Sequence, residues 1–419
     1  MAGIYIHIPF CKSRCIYCAF YSTTDPSLRQ RYVDAVCREM VIRGERREER
    51  LRVGEQSSGM RGERIDTIYL GGGTPSQLTA DQLRQLFIYI NKVYKLPPPS
   101  GGVGGGVEVT IECNPDDITP EYAEALSQLP VNRVSMGAQT FDDQRLHFLH
   151  RRHTANQVQQ AVSRLREAGI CNISIDLMYG FPGETLSQWE RDIDSALSLD
   201  VEHLSAYCLT IEEGTPLHRM MKTPSNSPCL GGESESALNR EDLGGSEELQ
   251  RQMYYLLIDR LTAAGYEHYE ISNFAKPGFR SHHNSSYWTD VPYIGLGAAA
   301  HSYDGHQRRW NIDDINVYIK GIENGEPAYD YELIDDTTRY NDRVMLALRT
   351  CEGLDLQSLT PADRDYLLPL ADRYIADGLL SNDGRRLRLT RSGLFVSDMV
   401  ISDLMRINDD YGISSDESP

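Results

Sequence analysis

The 419-residue chain is long enough for two or three domains of about 150 residues, and its apolar fraction of 40% excludes disorder throughout. Lys and Arg number 42 against 61 Asp and Glu, so a net charge of -19 argues against a broad basic face for a nucleic-acid backbone. No run approaches the roughly 20 apolar residues of a membrane span, and the mean hydropathy is -0.45. The chain enters a strand pattern at once, and three of its nine cysteines lie within residues 11–18. We therefore expect no cleaved leader and no disulfide framework, but metal chemistry in the reducing cytoplasm.

The first half of the chain repeats a short apolar strand, a turn and an amphipathic helix. This alternation predicts parallel strands joined by helical crossovers, in about six units. The predicted strands cover residues 4–8, 65–70, 107–112, 133–136, 172–178 and 203–209. Thr79, Thr154 and Thr185 each precede a Gln by three residues, which is the pattern of a helix capping box, and Gly169 predicts a helix end.

Three segments interrupt this repeat: residues 43–64 are of mixed charge, 97–106 are rich in Pro and Gly, and 223–247 are rich in Ser, Gly and Glu. Their apolar content is too low to offset the entropy of ordering them, so we expect surface insertions without chemistry. The last one, expected to be disordered, falls inside a linking segment at 216–330 that follows a core at 1–215.

From about residue 331 the pattern changes to helices and one hairpin around an Asn-Asp-Gly turn. This pattern resembles a winged-helix module, so we expect a mainly helical domain at 331–410 and a tail at 411–419. The wing of such a module often touches nucleic acid, and here it carries Arg385, Arg386 and Arg388. The strongly acidic chain disfavours that role.

Three cysteines, Cys11, Cys15 and Cys18, follow the first predicted strand closely enough to share one loop at its carboxyl end, where ligand sites are favoured. Three thiolates can hold three irons of a 4Fe-4S cluster and leave the fourth iron open to a non-protein ligand. Two alternatives stay open at this point: a zinc site that adds His7, and ordinary buried cysteines.

A glycine run, Gly71-Gly72-Gly73 followed by Thr74 and Pro75, ends the second predicted strand. Glycines let backbone N–H and C=O groups approach a ligand closely, although the same run could form only a tight connection. The run lacks the lysine of a P-loop and the spacing of a dinucleotide fingerprint.

The Cys-x₃-Cys-x₂-Cys loop after strand one and the Gly-Gly-Thr-Pro turn after strand two resemble the radical S-adenosylmethionine (SAM) superfamily. With residues 5–11, 135–139 and 176–183, essentially the whole chain is similar to the anaerobic coproporphyrinogen oxidase (HemN) family and its relative, the HemW family. The resemblance implies an α/β fold, in which a partial (βα)₆ TIM-like radical SAM barrel precedes a mainly α, winged-helix-like C-terminal module. It also implies a 4Fe-4S cluster whose open iron binds the amino and carboxylate groups of SAM.

Carried over residue by residue, the resemblance implies a set of SAM-binding residues. Gly72, Gly73 and Thr74 face the methionyl amino group, and Glu112 accepts a hydrogen bond from the cofactor. Two tyrosines flank the cluster, and three further residues hold ribose or carboxylate groups; these five are Tyr5, Tyr17, Gln139, Arg151 and Asp176. Several of them, taken alone, could instead cap a turn or be a solvated charge, but their expected position at strand ends favours a cofactor site.

Three features separate the two related families. Phe20 stands where the oxidase family has a fourth cysteine, and only three residues precede Ile4, where that family has an N-terminal extension. A His-Asn-x-x-Tyr-Trp motif at 283–288 resembles one proposed for heme binding in the HemW family. It makes His283 the first expected heme ligand and His282 the second, with flat apolar faces for the porphyrin offered by Tyr287 and Trp288. Packing between domains is the alternative role for this cluster.

We therefore expect a heme chaperone that passes heme to apo-hemoproteins and lacks coproporphyrinogen oxidase activity, with the cluster and SAM serving dimerisation or regulation. The alternative is an oxygen-independent coproporphyrinogen III oxidase, which converts propionate side chains to vinyl groups; a winged-helix regulator is disfavoured by the charge. The resemblance further implies respiratory-chain recipients, transient membrane contact and a homodimer. An anionic porphyrin needs a local basic patch in an acidic chain, and we expect it near residues 276–280 or 308–309.

Overall fold

The computed structural model describes residues 2–52, 64–96, 106–222 and 246–407. Its first part alternates strands and helices as the sequence predicts, and all six predicted strands are present. The elements are β1 (Ala2–Ile8), α1 (Arg29–Arg52), β2 (Ile65–Gly72), α2 (Ala80–Tyr94), β3 (Glu108–Cys113), α3 (Pro120–Ser127), β4 (Arg133–Gln139), α4 (Asp143–Phe148), α5 (Ala155–Glu167), β5 (Asn172–Tyr179), α6 (Leu186–Ser198), β6 (His203–Cys208), α7 (Pro216–Lys222) and α8 (Glu247–Ala263).

Strands β1 to β6 pair in sequence order, each parallel to the next. Six shorter strands and two helices follow, namely β7 (Glu267–Glu270), β8 (Asn273–Ala275), α9 (His282–Tyr287), β9 (Tyr293–Leu296), β10 (His301–Tyr303), β11 (Gln307–Asn311), α10 (Ile315–Asn324) and β12 (Tyr329–Leu333). One sheet in the order β12-β11-β10-β9-β1-β2-β3-β4-β5-β6-β8-β7 results, with β9 parallel to β1 and β8 antiparallel to β6.

Alternation along the strands gives the sheet two different faces. In β1, Ile4, Ile6 and Ile8 are fully buried, whereas Tyr5 and His7 point to the opposite side. The helices contribute matching apolar stripes, such as Leu83, Leu86, Phe87 and Ile90 of α2 and Val158, Ala161, Val162 and Leu165 of α5. The second face of the parallel strands is polar, and it contains the site described below.

The helix boundaries follow the local signals, with one correction. Thr79 and Thr185 form complete capping boxes, and Gly169, at φ +87°, follows the end of α5. The expected loop at 43–64 is wrong for 43–52, because α1 continues to Arg52 despite the mixed charges. Charged residues such as Arg and Glu are good helix formers, so low apolar content did not exclude a helix there. Residues 53–63, 97–105 and 223–245 of the expected insertions lie outside the described residues.

The expected linking segment at 216–330 contains regular structure: α7 to α10, β7 to β11 and the start of β12. Its strands are three to five residues long, too short to produce a clear period in the sequence. Among the described residues, no helix is long and apolar enough to cross a membrane.

The chain divides into two compact units, and the smaller one comprises Tyr269–Ile271, Tyr287–Asp290 and Leu333–Pro419. It contains α11 (Asp336–Leu348), β13 (Leu354–Asp355), α12 (Pro361–Ala376), β14 (Leu380–Asn382), β15 (Arg386–Leu389), α13 (Arg391–Phe395) and α14 (Ser397–Leu404). The predicted hairpin is present as β14 and β15, and β13 completes a sheet in the order β13-β15-β14. The wing arginines are paired: Arg385 and Arg386 with Asp355, and Arg388 with Asp383.

Candidate cofactor site in the barrel

The cysteine loop leaves the carboxyl end of β1 and is anchored to the rest of the barrel by its backbone. Cys11 donates its backbone N–H to Thr23 (2.9 Å), and Ile16 donates to Leu149 (3.3 Å) while its carbonyl accepts from Leu217 (2.9 Å). The Ile16 side chain is buried in an apolar cluster. The loop therefore presents its thiols on a fixed support, and all three thiols are free and half-buried.

Two side chains donate hydrogen bonds to the cysteine sulfurs. Thr74 Oγ1 lies 3.5 Å from Cys11 Sγ, and Arg151 Nη1 lies 3.4 Å from Cys15 Sγ. Tyr17 contacts the same loop, and burial raises the pKa of its phenol. Hydrogen bonds and a cation directed at thiolate sulfurs suit an anionic iron–sulfur cluster, so the donor set of this loop fits the group that the sequence predicts.

The zinc alternative required His7 as a fourth ligand. In the structure, His7 Nδ1 lies 3.0 Å from the Tyr5 hydroxyl, and Nε2 lies 3.1 Å from the Tyr21 carbonyl oxygen. Both ring nitrogens are thus engaged, which leaves no lone pair for a metal. Among the residues that the structure describes, no three His, Cys, Asp or Glu side chains are arranged to ligate a single metal ion.

The glycine turn packs against the start of the cysteine loop without room for side chains. A Cβ on Gly73 would lie 2.9 Å from the carbonyl oxygen of Ile8, and Gly72 has φ +108°, a conformation suited to glycine. The backbone of the turn therefore runs directly beside the end of β1, with the hydroxyl of Thr74 directed at Cys11. This is a cradle in which backbone groups can meet a ligand.

The carboxylate of Glu112 is held by two residues of the adjacent strand β2. Its Oε1 accepts from the Tyr69 hydroxyl (2.7 Å), and its Oε2 accepts from the backbone N–H of Gly72 (3.1 Å). Burial raises the pKa of Glu112 to about 7, and the Asp176 carboxylate contributes in the same direction, although both hydrogen bonds oppose the rise. A carboxylate has lone pairs beyond these two bonds, so Glu112 can also accept from an ammonium group.

Arg151 links the cysteine loop to the end of β4. Besides Cys15, its guanidinium donates to Asn114 Oδ1 (2.9 Å) and to the carbonyl oxygen of Gly137 (2.6 Å). Its Nε is buried and has no hydrogen-bond partner among the described residues. An unsatisfied guanidinium nitrogen of this kind fits the carboxylate of a ligand. Gln139, at φ +67° beside a register shift of β4, places its side-chain amide next to Gly137.

Asp176 lies in the middle of β5, one strand beyond Gln139, rather than at a strand end. Burial raises its pKa to about 6, although the Ser205 hydroxyl and the Arg133 guanidinium lower it. Asp176 and Glu112 line one polar cavity together with Tyr69 and Arg133.

Several residues of this cavity were missed by the sequence analysis. Hydroxyls line it from three neighbouring strands and from the chain before α9, and they belong to Ser135, Ser174, Ser205, Tyr207 and Ser281, joined by Asn284 of α9. A signal for most of them was available, because β4, β5 and β6 carry polar residues at alternate positions inside strands that are otherwise apolar. In a strand buried on both faces, such alternation marks the face that contains a site.

The residues of the expected heme motif differ in burial and belong to two different compact units. His283 is buried, with Nδ1 2.8 Å from Thr67 Oγ1, and burial lowers its pKa to about 3. His282 is exposed. Tyr287 and Trp288 belong to the smaller unit, where the guanidinium of Arg349 lies over the Trp288 ring at 5.2 Å.

The cations expected to form a basic patch are paired. Arg308 forms an ion pair with Glu332 (3.1 Å), and Arg309 lies over the ring of Tyr329 at 3.5 Å. In the second region, Lys276 is paired with Asp200 (2.6 Å), and Arg280 with Glu267 (3.0 Å). Three of these four cations are therefore paired with carboxylates, and the fourth lies over an aromatic ring.

Comparison with known proteins identifies the family and the fold. The sequence matches the radical SAM superfamily over residues 5–196 and the HemN C-terminal domain over residues 334–396. It is 34% identical over 408 residues to the heme chaperone HemW of Bacillus subtilis (strain 168), covering 96% of this chain and 98% of that protein. It is 31% identical over 409 residues to HemW of Mycobacterium tuberculosis (strain H37Rv), covering 96% and 94%.

Among solved structures, the fold is similar to that of coproporphyrinogen III oxidase (HemN) from Escherichia coli, with a TM-score of 0.76. The match covers 96% of this chain and 90% of that one at 20% identity. This similarity confirms the expected α/β class, with a radical SAM barrel followed by a mainly helical C-terminal module, and it concerns the fold alone.

Proposed function

Because this chain belongs to the HemW family of radical SAM proteins, we propose that it is a heme chaperone, which binds heme and delivers it to apo-hemoproteins. The observation that carries the proposal is the similarity to proteins of that name over nearly the whole length of both chains. A cysteine loop and a polar cavity of the kind that this family requires support it.

At the cofactor site, some residues would bind the cluster and others would stabilise its thiolates. Cys11, Cys15 and Cys18 hold three irons of a 4Fe-4S cluster, while Thr74 and Arg151 stabilise the thiolate charge through hydrogen bonds to sulfur. The cluster, when bound, supplies an electron and an open iron for SAM chemistry.

SAM would be bound by residues of the cavity, Glu112 and Asp176, together with Arg151, Gln139 and the glycine turn, which are not part of its lining. Glu112 would accept from the amino group, Arg151 would take the carboxylate on its unsatisfied Nε, and Asp176 with Gln139 would hold the ribose hydroxyls. Gly72 and Gly73 complete the cradle, because any side chain at these positions would collide with β1 or its continuation. The tyrosines Tyr5 and Tyr17 flank the cluster.

We place the axial ligand of heme at His282. Its exposed ring is accessible to a porphyrin, whereas His283 would first have to leave a buried position and its contact with Thr67. Tyr287 and Trp288 belong to the smaller unit, where one face of Trp288 already carries Arg349. Cytoplasmic location, respiratory-chain recipients, transient membrane contact and a homodimer complete the proposal.

The test is an anaerobic titration of the cluster-loaded protein with heme, followed at the Soret band, and then transfer of the bound heme to apo-myoglobin as the probe acceptor. Coproporphyrinogen III turnover is assayed on the same preparation. His282→Ala is compared with His306→Ala, an exposed histidine in the loop between β10 and β11. We expect saturable binding and transfer, weakened by His282→Ala and unchanged by the control.

Two results would contradict the proposal. A protein that binds no heme, or retains it in the presence of the acceptor, is not a chaperone. Formation of vinyl porphyrin that depends on SAM would favour the oxidase. Equal heme affinity in the two variants would remove His282 as the ligand.

A further inference from the structure

The His-Asn-x-x-Tyr-Trp motif begins inside the barrel. The backbone N–H groups of His282 and His283 donate to the two carboxylate oxygens of Glu108, at 3.0 and 2.9 Å. Asn284 lines the same cavity as Glu112, which lies on β3 with Glu108. The first residues of the motif are therefore docked on the polar face of the sheet.

The His283 ring fills a closely fitted space there. It is 1% exposed and bonded to Thr67 on β2. A Cβ on Gly3 of β1 would lie 3.4 Å from Cε1 and Nδ1 of the ring, at van der Waals distance, so the ring packs directly against β1. A ring packed against β1 and bonded to β2 has little freedom to rotate.

Tyr69 connects this ring to the cofactor site. The rings of His283 and Tyr69 stack with centroids 4.9 Å apart and 23° between their planes, and Tyr5 stacks on Tyr69 at 6.2 Å. The Tyr69 hydroxyl then donates to Glu112 Oε1, at 2.7 Å, while Gly72 fixes the second oxygen. The contacts form one continuous series from the motif to the carboxylate that faces SAM.

From this series we propose that His283 is a positioning residue for SAM binding, which acts on Glu112 through the stacked ring of Tyr69. The inference rests on the cofactor assignments of the proposed function, but not on heme binding. It gives the histidine of the motif a role at the cofactor and leaves the heme ligand elsewhere.

SAM affinity of the cluster-loaded protein, measured by anaerobic equilibrium dialysis, tests the proposal. His283→Ala removes the stacking partner, and Tyr69→Phe keeps the ring but removes the hydroxyl that holds Glu112. Each is expected to weaken SAM binding about tenfold, the effect of losing one hydrogen bond to a charged group. His306→Ala should leave the affinity unchanged.

The double variant separates positioning from general damage. If His283 acts only through Tyr69, combining the two substitutions should weaken binding no more than Tyr69→Phe alone, within about twofold. His283→Phe, which restores a flat ring beside Tyr69, should recover most of the affinity. If His283→Ala does not fold, His283→Phe still tests the proposal.

Three results would overturn the proposal: parental SAM affinity in His283→Ala, additive losses in the double variant, or a folded His283→Phe protein that no longer binds SAM. Heme titration of the same variants distinguishes the positioning role of His283 from the heme-chaperone proposal. A His283→Ala protein that binds SAM normally but has lost heme would make His283 the ligand, whereas a parent that binds no heme affects only the chaperone proposal.

Discussion

Substituting Glu112 by Gln should make the protein more stable at neutral pH and yet weaken its binding of SAM. Burial raises the pKa of Glu112 from 4.5 to about 7, so the folded chain holds this proton more tightly than the unfolded chain. The tighter binding of this proton stabilises the folded chain below pH 4.5, and this stabilisation is lost as the pH rises to about 7. The loss amounts to about 3 kcal/mol, an order-of-magnitude value. Gln carries no charge, so the difference in unfolding free energy between variant and parent should rise by a similar amount between pH 4.5 and 8.

SAM binding should change in the opposite direction. The amino group of SAM donates N–H bonds, which an ionised carboxylate accepts more strongly than a protonated one, so the affinity of the parent should rise with pH and level off above about 7. The groups that face Glu112 are Tyr69 on β2, Asp176 on β5 and Arg133, which lines the same cavity. Glu112→Gln should bind about tenfold to a hundredfold more weakly at pH 8, with little pH dependence left.

The two measurements are chemical denaturation of the apo-protein and anaerobic equilibrium dialysis of SAM, each from pH 5 to 8. Glu124→Gln, an exposed carboxyl on α3, serves as the matched control and should follow the parent in both. A SAM affinity of the parent that is flat across pH 7 would refute the assignment of Glu112. A variant that is less stable than the parent at pH 8 would show that its two hydrogen bonds outweigh the burial of the charge.

Three further substitutions test the site. Cys15→Ser should abolish binding of the cluster, measured as iron per chain and absorbance near 400 nm, while Cys351→Ser, at an exposed cysteine, should retain it. Gly73→Ala should lower stability by about 1 to 3 kcal/mol and weaken SAM binding, because the Cβ of the alanine would lie 2.9 Å from the Ile8 carbonyl oxygen. Thermal unfolding and equilibrium dialysis measure these two effects. Arg151→Gln should weaken SAM binding about tenfold or more and lower the reduction potential of the cluster, followed by spectroelectrochemistry, because a cation leaves the Cys15 sulfur. Unchanged potential and affinity in that variant would remove Arg151 from the site.

The parallel core could be predicted because its signals are local. Apolar strands of four to eight residues separated by capped helices define a βα repeat without knowledge of distant contacts. Strands β7 to β12 gave no such signal. Their three to five residues are held by pairing with strands far away in the chain, as when β9 joins the edge of the sheet at β1.

The cofactor site was predicted only in part. The residues that follow a strand, such as Cys11 and Thr74, have a motif, and their predicted place at the carboxyl end of the strands is where the structure has them. Residues inside the strands, such as Ser135 and Tyr69, could be assigned to the site only once the strand register placed them on one face. A side chain in mid-strand shares a cavity with residues from three or four other strands, and the sequence around it shows none of them.

The two neighbouring histidines of the motif show the same limit most clearly. Successive residues of a helix are about 100° apart around its axis, so His282 and His283 of α9 cannot face the same way. Which one is buried depends on space beside Gly3 and a bond to Thr67, positions some 280 and 216 residues earlier in the chain. A histidine inserted between strands and stacked on Tyr69 is held by the barrel, whereas an exposed one is accessible to an external ligand. Two adjacent histidines therefore have different roles, with His283 acting at the cofactor site and His282 as the heme ligand.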